Sequence, residues 1–159
     1  MKTAKILFKI AAYLLAGIVL TVILPIMVWA IFYGSPDLAD TLESNWSIVL
    51  SDESGWDEIY HVDSGASFNG DGWRYHIVTY EQEDSIETMV AWSAEERKVW
   101  NKTYPELMED WISYTDAWPD MYPVYDGCMY WYQQDSDGSE IIMCWNKAEA
   151  KIYISESFM

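Results

Sequence analysis

Between positions 63 and 76 the chain places Asp63, Asn69, Asp71, Arg74 and His76, which together offer carboxylate and amide oxygens, one guanidinium and one imidazole. That set can bind a polar ligand. It is not a calcium loop, which needs more oxygen ligands at alternating spacing and a terminal bidentate glutamate. An imidazole beside a carboxylate suits general-base chemistry, yet neither His61 nor His76 has a recognisable serine or cysteine partner, and carboxylates are too abundant to nominate a pair. We therefore read these five residues as a candidate binding set, with no catalytic group, metal or cofactor assigned. Asn69-Gly70-Asp71-Gly72 contains two dipeptides that favour positive φ, so a backbone reversal accounts for its glycines. Asp135-Ser136-Asp137-Gly138 begins like a calcium loop and stops short of its ligands, which makes it a turn.

The stretch DSGASFNGDGWRYHIVTY resembles a motif of small uncharacterised bacterial membrane-anchored and lipoprotein-like proteins, in which Asp-x-His-Gly-Gly-Phe-His-Gly-Asp-Gly precedes a strand. Asp63, Phe68, Gly70, Asp71 and Gly72 match, while Gly65 and Asn69 stand where that family has histidines. YPVYDGCMYWYQQ is similar to the family's Pro-x-x-x-Gly-Tyr-Tyr strand. The resemblance implies a bacterial envelope protein, and it brings no activity with it.

The elements that carry these residues follow from periodicity. Arg74 to Tyr80 is rich in Tyr, Ile, Val and Thr and predicts a strand whose Arg74, His76, Val78 and Tyr80 share the wet face. Trp46, Ile48 and Leu50 alternate with Ser47 and Val49 as a strand would, and Ile59 to Asp63 is a further extended run. Asp84 or Ser85 caps a helix carrying Ile86, Met89 and Val90, and Ser93-x-x-Glu96 reads as a capping box. Pro105 opens a helix with Leu107, Met108, Trp111 and Ile112 on one face. Cys128 to Gln133, Glu140 to Trp145 and Lys151 to Ser155 make a C-terminal three-stranded meander. The fold class is α+β, one small domain of antiparallel strands with a central helical segment. Cys128 and Cys144 are the only cysteines, and a disulfide between directly opposed positions sets an index sum of 272 for the first tail hairpin, with its loop centred on Ser136.

Location is legible from the N-terminus. Lys2, Lys5 and Lys9 precede an uncharged stretch, and residues 10–33 are long enough to span a bilayer as a helix, about 36 Å at the helical rise. Residues 1–9 then form a basic cytoplasmic end, 34–45 a stem, and 46–159 an extracytoplasmic domain, because positive charge stays inside. The competing reading is a signal peptide cleaved after Ala30, for which the apolar stretch is too long.

All 26 acidic residues follow Pro36 with only six of the nine lysines and arginines, a formal charge of −20 for the body. Nucleic acid is an unsuitable partner; a cationic protein or peptide is a suitable one. The expected function is a membrane-anchored acidic binding module, an immunity or inhibitor protein being its sharper form. The rival readings are an envelope hydrolase using Asp63, Asp71 and His76, and a carbohydrate-binding module using exposed tryptophans among the nine that follow Pro36.

Overall fold

The computed structural model describes residues 19–23, 37–65, 71–95 and 97–159. Most of the apolar 10–33 segment lies outside them, as do Phe68, Asn69, Gly70 and Glu96. Among the described residues no helix is long and apolar enough to cross a membrane.

Leu38–Met159 forms one compact unit. Its frame is a five-stranded antiparallel sheet built from β1 (Asp57–Asp63), β2 (Gly72–Thr79), β5 (Met129–Gln134), β6 (Glu140–Asn146) and β7 (Lys151–Phe158), in the order β1-β2-β7-β6-β5. A two-stranded ribbon, β3 (Lys98–Val99) with β4 (Lys102–Thr103), stands apart from it. The α+β class is as the sequence indicates, and the tail is the predicted meander. β7 continues past it to pair with β2 along all of that strand, Gly72 opposite Phe158 through Thr79 opposite Lys151.

Both faces of the sheet are covered, which is why β6 is buried at every position. One face sets Val78, Ile141, Met143, Trp145, Ile152 and Ile154 against helix α1 (Leu38–Trp46) and the chain that follows it. The other sets Tyr75, Ile77, Ile142, Cys144 and Tyr153 against helix α3 (Tyr104–Ser113). α3 matches the reading of its sequence, with Pro105 in its first turn and Leu107, Met108, Trp111 and Ile112 buried. Thr103 and Glu106 close a capping box at its start, each satisfying a backbone N–H that a helix terminus leaves orphaned.

Several expectations are corrected. The stem is largely α1, whose Leu38, Leu42 and Trp46 recur at helical spacing and are buried. Trp46, Ile48 and Leu50 do point inward while Ser47 and Val49 point out, but residues 47–50 join no sheet. Ser47, at φ 57°, turns the chain out of α1, and the N–H of Ile48 closes back on the Leu42 carbonyl at 3.2 Å. The alternation is a packing pattern without a ladder partner. Helix α2 (Glu83–Glu87) is a single short piece preceded by Gln82, not capped by Asp84 or Ser85. Ser93 caps no helix; it exchanges two backbone hydrogen bonds with Tyr130 and extends the sheet past β5.

The tail hairpin is shifted by two residues from the disulfide-based register. Tyr130 opposes Cys144 and Met129 opposes Trp145, an index sum of 274, and the loop centres on Asp137. Gly138 takes φ 94°, the left-handed turn residue expected there. The parity is right, so both cysteines face the α3 side, but Cys128 sits two residues beyond the position opposite Cys144. They are diagonal neighbours and both thiols are free.

Candidate functional site

Four residues gather around His76 of β2: Glu58 and His61 of β1, Glu156 of β7 and, through Glu156, Trp46 of α1. Register explains part of this. His76 lies directly opposite His61, and Arg74 opposite Asp63 on β1 and Glu156 on β7. Glu58, three residues before His61, would point to the other face of a regular strand. A bulge between Glu58 and Tyr60 absorbs the extra residue and sets Glu58 opposite Val78, on the His76 face. Irregular pairing thus re-aims one carboxylate at the imidazole.

His76 is buried and has a carboxylate at each ring nitrogen: Nδ1 is 2.5 Å from Glu58 Oε1, and Nε2 is 3.4 Å from Glu156 Oε2. The second contact is a charge-range approach and not a formed hydrogen bond, so Nε2 and Oε2 face each other with no hydrogen-bond partner. Glu156 is fully buried, and its second oxygen accepts the indole N–H of Trp46 at 2.5 Å. By contrast, Glu140, the other buried carboxylate among the described residues, is held by Tyr132 and Trp100. The His61 ring stacks on His76 with centroids 4.6 Å apart and planes within 3°.

These contacts move both imidazoles. Burial pulls the His76 pKa down, but the adjoining Glu156 and Glu58 carboxylates outweigh it, and the net shift is upward. His61 is shifted down, first by its desolvation in the stack and then by the charge of His76. Chemically, the cluster can hold a proton or a cation between strands; among the described residues no nucleophile is placed against it.

The predicted binding set is thereby divided. Asp63 and Arg74 are paired at 2.9 Å on the rim, and Arg74 lies over the Phe158 ring at 4.5 Å. Both line a cleft of about 230 Å³ with Gly72, Asp137, Ser139, Phe158 and Met159. His76 is not with them on a wet face: His76, Val78 and Tyr80 are all buried beneath the α1 side. Asp71 is half-buried just before β2, and Asn69 lies outside the described residues. Gly72 is in β2 with no positive φ; its constraint is the Gly65 carbonyl, 3.1 Å from where a Cβ would stand.

No protein-family model, curated protein or solved structure matches this chain. Its site must be read from its own residues. Glu58, Glu156 and Trp46 escaped sequence reasoning, and His61 was seen without its neighbour. The one usable signal was that β1 and β2 each carry a histidine; pairing them requires the hairpin register, which the long 64–71 connection does not fix.

Proposed function

We propose that this protein is an acidic binding module, held at the cell membrane by residues 10–33 and presenting Leu38–Met159 outside the cytoplasm to a cationic protein or peptide. The supporting observation is how its charge is distributed. Arg74, Arg97, Lys102, Lys147 and Lys151 each already contact a carboxylate of the same chain. Among the described acidic residues only Glu140 and Glu156 are buried. The remaining carboxylates outnumber the basic groups and face solvent, a field that accelerates capture of a positive partner at low salt. An immunity or inhibitor role against a cationic toxin or enzyme is the sharper form of this reading.

The test is capture by the full chain in non-ionic detergent from an extract of its own envelope, eluted with NaCl from about 50 to 500 mM, which shortens the screening length severalfold. A basic protein released by salt is the expected result. Absence of any salt-released partner overturns the reading. The location is checked separately: protease added to spheroplasts digests the body, whereas a released mature chain beginning near Ile31 removes the anchor.

A further inference from the structure

We infer that Glu58, His61 and His76 form a binding site for a divalent cation of the zinc class. One donor atom from each lies within 4.8 Å of the others. Two imidazoles and a carboxylate are a borderline-soft donor set that suits zinc and its transition-metal neighbours and gives magnesium and calcium, which require oxygen shells, little to hold.

Three structural features point to an ion rather than to a chance cluster. The bulge in β1 is the first, because without it Glu58 would leave the face occupied by both histidines. The second is Glu156. Fully buried, and held by Trp46 through one oxygen, it directs its unpartnered Oε2 at the Nε2 of His76, 3.4 Å away. A metal-bound histidine characteristically donates its second ring N–H to a carboxylate, which fixes the tautomer and leaves the other nitrogen's lone pair for the ion. Here that other nitrogen is Nδ1, the one facing Glu58.

The third feature is which ligands can move. Zinc at about 2.0–2.2 Å from nitrogen and oxygen brings tetrahedral donors to roughly 3.4 Å from one another. His76 Nδ1 and Glu58 Oε1, 2.5 Å apart, must therefore open to admit the ion while any separation nearer the 4.8 Å limit closes, and His61, now parallel to His76, must turn so that its lone pair converges. His76 is buried, while His61 is exposed and Glu58 partly so. The fixed ligand is the one with the buried carboxylate behind it, and the ligands that must adjust are at the surface. The remaining coordination position faces solvent and is open to water or to a donor atom from a partner. The ion would tie edge strand β1 to β2.

The experiment uses the untagged full chain in non-ionic detergent, stripped with EDTA and titrated with ZnCl2 by calorimetry and by thermal unfolding. We expect one saturable ion per chain and a Tm that rises with free Zn2+, since a ligand of the native state stabilises it by mass action. Mg2+ and Ca2+ should leave Tm unchanged. His61→Ala, at an exposed position, keeps the wild-type circular dichroism and weakens Zn2+ binding at least about tenfold. Glu156→Gln weakens it about 10- to 100-fold while keeping the side-chain volume. Co2+ in place of zinc should give visible d–d bands that His61→Ala abolishes. No saturable Zn2+ binding, binding unaltered by His61→Ala, or a thiolate-to-cobalt charge-transfer band indicating Cys128 and Cys144 as ligands would each overturn the assignment.

Discussion

Trp46, at the end of α1, donates its indole N–H to Glu156 of β7 at 2.5 Å, across 110 positions of sequence. This bond locks the covering helix onto the sheet and leaves Glu156 one oxygen for His76. An ionised carboxylate inside a protein costs several kcal/mol in lost hydration, so its few partners carry large weight.

Trp46→Phe preserves a large aromatic ring and removes the donor. Its expected cost is about 1–3 kcal/mol, the desolvation penalty of a buried acceptor left unmade. Urea denaturation measures it, and a change below a few tenths would show that Glu156 does not depend on the indole.

Arg74 and His76 share a strand face and should differ sharply on truncation. The Arg74–Asp63 pair is more than a third exposed on each side, so solvent screening holds the cost of Arg74→Ala to about 1 kcal/mol or less, its contact with Phe158 included. His76→Ala leaves the buried Glu156 Oε2 facing a cavity with its polar neighbour gone and should cost about 3–5 kcal/mol, as removal of one partner of a buried pair does. Both are measured with chelator present so that no ion contributes. Equal losses would contradict the burial argument.

Gly72→Val should destabilise more than Asp71→Asn. The reason is proximity: a Cβ at Gly72 meets the Gly65 carbonyl at 3.1 Å, backbone against backbone in the narrow start of the β1–β2 connection. Thermal unfolding of the two variants decides it. An Asp71→Asn that abolished partner binding at unchanged Tm would move the importance of this segment from its backbone to its carboxylate.

Cys128, just before β5, is diagonal to Cys144 of β6, and both side chains lie in the α3-side core. The extracytoplasmic location proposed above carries the expectation of a bond between them, which on the chain-entropy model contributes about 3 kcal/mol less the strain of a diagonal geometry. Labelling of unfolded protein recovered from the envelope should find no free thiol before reduction and two after it. Two reactive thiols before reduction would remove the bond; the hairpin register, set by the ladder itself, would stand.

What the sequence determined by itself was whatever depends on near neighbours along the chain. The α3 face, its Pro105 start and the three tail strands follow from periodicity and terminal chemistry, because a helix or strand face is decided by residues two to four positions apart. The acidity of the body and the three lysines ahead of an apolar span are likewise properties of the order of residues. Local pattern misled at Trp46 to Leu50, where alternate burial is real but no strand lies alongside to form a ladder. It misled at Ser93 too, where pairing with Tyr130 takes the backbone groups a helix would have used. The site around His76 was decided by tertiary structure alone. It requires a long-range pairing of β2 with β7, a bulge that no residue in DEIYHVD announces, and a tryptophan from a helix more than a hundred residues away from its carboxylate. Those contacts form because the sheet must bury both faces, and the charges caught beneath α1 are then held by whichever polar groups the packing brings within reach.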